Sequence, residues 1–251
     1  MNFPAVRIEN LSFMYPGQAH HSITGINLTI AAGDRFGLFG PNGAGKTTLM
    51  GCMTGILDFT DGSIEIFGEK VSRKNRSFCS VLGYVPQEYS FYQELDPLEN
   101  LEYFGAMSGL KMPAIKKKSE ELLKVLGLWD VRTKQVEKFS GGMKRRVNIA
   151  ISVMHEPKIL FLDEPTVGVD VQTRFAIMDY LMELNRRGTT LVYTSHQLAE
   201  AQNLCNNFAL IDQGNIIAHD TLEHLLAAHE AEGLEGLFIK LTGKAYRDSD
   251  V

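Results

Sequence analysis

Residues 40–47 read GPNGAGKT and match the spacing G-x-x-x-x-G-K-[ST]. Glycines at this spacing let successive backbone N–H groups turn inward around phosphate oxygens, and a helix starting there adds partial positive charge. Lys46 is placed to reach the β- and γ-phosphates of a nucleotide, and Thr47 to offer its hydroxyl to Mg²⁺. Farther on, residues 159–165 read ILFLDEP. Asp163 stands where an apolar strand would end, which suits a carboxylate holding Mg²⁺ directly or through water. Glu164 beside it could polarise an attacking water as general base. The bland alternative is two solvated acids in the turn before Pro165.

Three more positions carry weaker signals. His196, one of seven histidines, follows TTLVYTS (189–195). It therefore falls just past the C-terminal end of a core-type strand, where open α/β sheets bind ligands. Gln87 follows VLGYVP and is less specific by itself. Tyr15 precedes Pro16-Gly17 and could stack on adenine, or simply be a half-buried aromatic. Finally, FSGGMKRR (139–146) is a second serine- and glycine-rich helix start. Ser140 reads as its cap, and Gly141 and Gly142 leave first-turn N–H groups for a second anion site. An ordinary Ser-capped helix with flexible glycines is the alternative.

These residues need a scaffold. The first forty positions look strand-rich: VRIENLSFMY, INLTI and RFGLFG, with Gly17 and Gly33 as turn points. RFGLFG runs into the glycine loop, and KTTLMGCMTGI continues as a helix. IEIFG (64–68) and VLGYVP (81–86) are further short strands. From about Glu88 to Glu156 the pattern turns helical. Asp96-Pro97-Leu98-Glu99 is a helix start with a capping Asp, a first-turn Pro and a Glu three residues on. Leu98, Leu101 and Phe104 then predict one apolar face. A second helix is expected over about Lys116–Leu126 and a third after Ser140. KILFLD (158–163) fits a strand buried on both faces. TTLVYTS, NFALI and NIIAH return to strand, and the stretch after about Asp220 reads as a helix, a short strand and a polar tail.

Composition narrows the function classes. A chain of 251 residues with 44% hydrophobic residues can bury a sizeable core. Its longest uninterrupted apolar run is four residues, Ile159–Leu162 being one, too short to span a bilayer. The first twenty residues contain Arg7, Glu9 and two prolines without an apolar core, so a secretory leader is not expected. Cys52, Cys79 and Cys205 are far apart, which excludes a CxxC pair and suits a reducing cytosol. The net charge of −5 argues against a general nucleic-acid binder. Lys116–Lys118 reads as a solvated helix face, and Lys144–Arg146 as a second local basic cluster.

The ordered set resembles the nucleotide-binding subunit of an ABC transporter, from about Val6 to Gly243. It comprises Tyr15, the Walker A loop (Gly40–Thr48), Gln87, the signature Ser140-Gly141-Gly142, Walker B (Ile159–Asp163) with Glu164, VGVD (Val167–Asp170) and His196. ELDPLENLEYFG and FSGGMKRRVNIA further resemble ABC-2-type exporter ATPases. The resemblance implies an α/β P-loop NTPase core with an N-terminal antiparallel β-subdomain and an inserted α-helical subdomain. The core would take about 1–87 and 157–220, the helical signature subdomain 88–156, and a C-terminal extension 221–251. It implies ATP contacts from Tyr15, Gly40, Pro41, Asn42, Gly43, Ala44, Gly45, Lys46, Thr47 and Thr48, and Mg²⁺ held by Thr47, Gln87 and Asp163. Catalysis would fall to Glu164, His196, Lys46 and Gln87, with His196 on the γ-phosphate. Two such domains pair head-to-tail in the family, so Ser140, Gly141 and Gly142 would contact the partner's ATP, with Asp170 in the D-loop between. The implied partners are a second ATPase subunit, giving a homodimer, and integral membrane permease subunits. No nucleic acid is expected, and the place is the cytoplasmic face of the cell membrane. A soluble ABC-type ATPase acting on ribosomes or nucleic acid is the alternative.

Two departures stand out. The commonest signature has Leu before Ser and Gln after the second Gly, where this chain has Phe139 and Met143; a thioether cannot replace the amide's hydrogen bonds. The D-loop commonly reads Ser-Gly-Leu-Asp, and Val167 here has no hydroxyl to reach across a dimer.

Overall fold

Alternating buried and exposed side chains give β1 (Val6–Phe13) and β2 (Ile23–Ile30) one core-facing side each. β3 (Arg35–Phe39) is buried from Phe36 onward and leads through the glycine loop into α1 (Lys46–Met53). β4 (Asp61–Ile66) and the two-residue β5 (Glu69–Lys70) follow. Next come β6 (Leu82–Val85), α2 (Pro97–Met107), α3 (Met112–Val125), α4 (Gly141–Ser152), β7 (Ile159–Asp163) and α5 (Val171–Arg186). β8 (Thr190–Thr194), α6 (Leu198–Leu204), β9 (Asn207–Asp212), β10 (Asn215–Thr221), α7 (Leu222–His229) and α8 (Leu234–Thr242) complete the order. The computed structural model describes residues 3–195 and 198–243, so His196 lies outside the described residues.

The chain forms two compact units. The first takes the described residues of Met1–Cys79 and Thr190–Val251. One of its sheets is antiparallel in the order β2-β1-β4-β5, with Val6 opposite both Ile30 and Ile66. In the other, β3 pairs in parallel with β8 and with β9, and β10 closes antiparallel on β9. β8 is buried along its whole length, as a strand covered on both faces should be. Cys52 and Cys205 are buried in this unit, and Cys79 is exposed.

The second unit is Ser80–Thr189. Here β6 and β7 pair in parallel, Tyr84 opposite Phe161, and β7 is buried throughout. The expected start of α2 forms as a full capping box. The Asp96 carboxylate accepts from Glu99 N at 2.9 Å and the Glu99 carboxylate accepts from Asp96 N at 2.9 Å.

Three expectations change. The buried side of α2 is Pro97, Asn100, Leu101 and Gly105, while Leu98 and Phe104 are half-buried. Asn100 takes the inner place because its amide donates to Tyr92 O at 2.9 Å and accepts from Tyr92 N at 3.0 Å, tying down the preceding loop. α3 begins at Met112, ahead of the expected start, with Pro113 in its first turn. The expected short C-terminal strand is instead the helix α8, which buries Leu234, Leu237 and Phe238 at helical spacing.

Candidate functional site

The first unit carries the phosphate-loop half. β3 delivers the chain to Gly40, where a side chain would collide with the Ile211 carbonyl at 2.1 Å. Gly45, the residue before α1, has φ of 107° and leaves 2.8 Å between a would-be Cβ and the Ser22 carbonyl. Only glycine fits both demands. No side chain caps α1 and no acidic residue sits in its first turn. Such a start directs its N–H groups and partial charge toward an anion. Lys46 is 6% exposed and its Nζ donates to the Gly40 and Pro41 carbonyls at 2.7 and 3.1 Å. Ala44 N donates to Pro41 O, and Ala44 O accepts from Gly214 N at 2.9 Å, which anchors the loop to the β9–β10 turn. Asn42, Gly43 and Thr47 are exposed, and the Thr48 hydroxyl shares a 3.2 Å hydrogen bond with the Tyr15 hydroxyl. Tyr15 also meets Phe13 edge-to-face at 4.9 Å, leaving its ring half-buried.

The second unit carries the carboxylates and the capped helix start. Asp163 ends β7 at 2% exposure and Glu164 follows at 9%. Neither is a solvated turn acid. Glu164 has φ of 50°, a left-handed backbone that a non-glycine residue adopts only when its surroundings impose it. Gln87 Nε2 donates to Glu164 Oε2 at 3.2 Å, so these two expected site residues do meet. Burial and the nearby Asp163 carboxylate both push the Tyr84 phenol up. Ser140 caps α4, its Oγ accepting from Met143 N at 3.3 Å. Side chains at Gly141 and Gly142 would press on Gly168 O at 3.3 Å and on Thr173 Cγ2 at 3.0 Å. The signature turn thus rests on the turn that starts α5. Asp170 caps that helix, accepting from Thr173 N at 2.9 Å and from its hydroxyl at 2.7 Å. The Thr173 N–H, then the Thr173 hydroxyl, hold the Asp170 carboxyl below its ordinary value. Phe139 is a core residue at 6% exposure, which accounts for an apolar side chain before Ser140.

Sequence reasoning missed Arg145 and Asn148. Both are buried and both donate to the Pro86 carbonyl, Arg145 Nη1 at 2.8 Å and Asn148 Nδ2 at 3.4 Å. Burial pulls the Arg145 guanidinium below its ordinary value, against the opposing pull of Tyr89, Glu164 and Asp163. The available signal was the helical spacing of Arg145, Asn148 and Ser152 along α4.

Thr47, Gln87 and Asp163 offer a hydroxyl, an amide oxygen and a carboxylate, the hard oxygen donors that Mg²⁺ takes. Gln87 spends its NH₂ on Glu164, which leaves the oxygen end of the amide for another partner. Among the described residues no group of three His, Cys, Asp or Glu could hold a metal alone. A single protein carboxylate fits an ion bound mainly through substrate phosphates and water. Also among the described residues, no helix is long and apolar enough to cross a membrane.

Comparison with known proteins places the chain in a family. A family model described as ABC transporter matches residues 23–167. The linearmycin resistance ATP-binding protein LnrL of Bacillus subtilis (strain 168) is 41% identical over 199 residues, 79% of this chain and 64% of that protein. This chain therefore spans less than two thirds of that relative's length. The ABC transporter ATP-binding protein NatA of the same organism is 32% identical over 219 residues, 87% of this chain and 89% of that protein. A solved structure of an ATP binding subunit of an ABC transporter superposes with a TM-score of 0.87 at 25% identity, covering 95% of this chain and 99% of that one.

Proposed function

We propose a function from one premise: the chain belongs to the ABC transporter family. It is the subunit that binds and hydrolyses ATP to drive separate membrane-embedded subunits, in the export direction. The name of the resistance relative supports that direction, since resistance to a toxic compound is served by its removal. The working place is then the cytoplasmic face of the membrane.

The loop Gly40–Gly45 with Pro41, Asn42, Gly43 and Ala44 cradles the phosphates through backbone N–H groups, and Lys46 and Thr48 complete the cradle. Lys46 exchanges its two loop carbonyls for phosphate oxygens, and Tyr15 stacks on adenine. Thr47, Gln87 and Asp163 would hold Mg²⁺, which would supply positive charge against the nucleotide's phosphates. Glu164 takes the proton of the attacking water, Gln87 orients its carboxylate, and His196 holds the γ-phosphate. Two copies pair head-to-tail, each offering Ser140, Gly141 and Gly142 to the other's ATP, with Asp170 shaping the turn beneath them. A twofold axis makes that exchange reciprocal.

The observation that carries this reading is Glu164, buried, in a left-handed backbone and bonded to Gln87. Glu164→Gln should lower steady-state ATPase by about 10²–10⁴-fold while MgATP binding persists; full activity in that variant sinks the base assignment. The same variant, tagged and loaded with MgATP, would then be recovered from detergent-solubilised membranes and its companions identified by mass spectrometry. A stoichiometric multi-span membrane protein supports transport. A lone dimer, or recovery with ribosomes or nucleic acid, overturns it.

A further inference from the structure

One face of α4 is polar where a core helix would ordinarily be apolar. Gly141, Arg145, Asn148 and Ser152 recur at steps of four, three and four, so they line a single stripe. That stripe is laced to the segment running from β6 through Gln87. Ser152 Oγ donates to Tyr84 O at 2.6 Å, and Asn148 reaches Pro86 O. The guanidinium of Arg145 forks, Nη1 to Pro86 O at 2.8 Å and Nη2 to Gln87 O at 2.9 Å. Its carbon lies 5.2 Å from the Tyr89 ring centroid, and the Tyr89 hydroxyl donates to Gly141 O at 3.2 Å. Arg145 is 3% exposed, and its Nε has no hydrogen-bond partner. Burying a charge and forgoing one donor is unfavourable unless the remaining bonds do something a smaller apolar residue could not.

What they do is fix the two carbonyls that flank the Gln87 side chain. A planar fork sets both position and angle, which a flexible single-point donor does not. One turn back along the same helix lies Gly141, in the turn that Ser140 caps. We propose that Arg145 is a positioning residue for hydrolysis, linking the signature turn to the Gln87–Glu164 pair so that displacement of the first is felt by the second. This rests on the reading of Glu164 as the hydrolytic base. Arg145 touches neither water nor phosphate in this scheme; it holds the residue that holds the base.

The test compares kcat and KM for ATP in wild type, Glu164→Gln, Arg145→Gln, Arg145→Lys and Ser152→Ala, each well below its own melting temperature. Activity in wild type and its loss in Glu164→Gln secure the underlying reading; inactive wild-type protein overturns that reading and the proposal with it. Misplacement of a catalytic group by about 1 Å can cost 10²-fold. Arg145→Gln should therefore lose about 10–100-fold in kcat with KM held within about twofold, and Arg145→Lys should regain part of it. Ser152→Ala removes a bond of the same lacing farther from Gln87, so it should lower the melting temperature and leave kcat near wild type. The proposal is overturned if folded Arg145 variants keep wild-type kcat, if KM rises as kcat falls, or if Ser152→Ala costs as much as Arg145→Gln. Should Arg145→Gln not fold, Arg145→Lys carries the same test, with a several-fold fall in kcat expected at unchanged KM.

Discussion

α1 and α4 both begin beside glycines of the candidate site, and they begin differently. α1 starts from a left-handed Gly45 with no side-chain cap, and all of it but Thr47 is buried. α4 starts from an extended Ser140 that supplies its own acceptor, and Ser140 and Gly141 stand exposed. An uncapped start forgoes about 1 kcal/mol that a serine cap would give. It makes sense where a bound anion takes the cap's place, with Lys46 at hand to neutralise it. The α4 start is stable as it stands and carries no lysine until Lys144. It is suited to an anion brought by something else. Two helix starts can thus share one electrostatic principle and differ in who owns the ligand.

The contrast can be broken in order of effect. Lys46→Ala should remove a phosphate contact and cut ATPase by about 10²–10³-fold, with nucleotide binding lost in a fluorescence titration. Survival of tight binding would mean that the loop backbone alone suffices. Gly45→Ala forces a side chain into a left-handed residue with a carbonyl 2.8 Å away. It should cost about 1–3 kcal/mol and lower the melting temperature. Gly141→Ala meets only Gly168 O at 3.3 Å and Tyr89 Oη at 3.6 Å. It should melt near wild type while losing the MgATP-dependent dimer on a sizing column. Equal melting losses for the two alanines would erase the distinction. Ser140→Ala should cost about 1 kcal/mol and leave ATP affinity of the monomer unchanged.

The smallest effect is pH-dependent. The Asp170 carboxyl is held low by Thr173, so the unfolded chain binds its proton more tightly than the folded one does. Its contribution is complete above the ordinary carboxylate value and is lost as pH falls through the lowered one. Asp170→Asn should flatten that acid limb in a melting-temperature series, and an unchanged limb would remove Asp170 from the account. No carboxylate occupies the first turn of α1, so nothing comparable is expected there.

How much was readable beforehand follows the range of the physics involved. The glycine loop, the Asp96 box and the Ser140 cap are written within a few residues, because a cap acts on N–H groups two or three positions away. The apolar run of β7 announced its burial for the same local reason. Asn100, Arg145 and Asn148 were opaque because their partners lie in a different segment, and a polar side chain in a helix reads as solvent-facing until that segment is known. The C-terminal helix α8 was mistaken because GLFIKL is short and apolar, a pattern that strand and buried helix share. Lys118, taken as part of a solvated face, is instead 20% exposed and pairs with Glu156 at 2.7 Å.

The distribution of thiols gives the chain a reactivity pattern. The nucleophile in alkylation is the thiolate, and burial suppresses it. Burial pushes Cys52 up to about 12 and Cys205 up as well, while Cys79 faces solvent. A maleimide or spin label added to the folded protein should therefore mark Cys79 alone. The other two sulfurs would become available only as the chain unfolds, so the fraction of molecules carrying more than one adduct reports how many have opened.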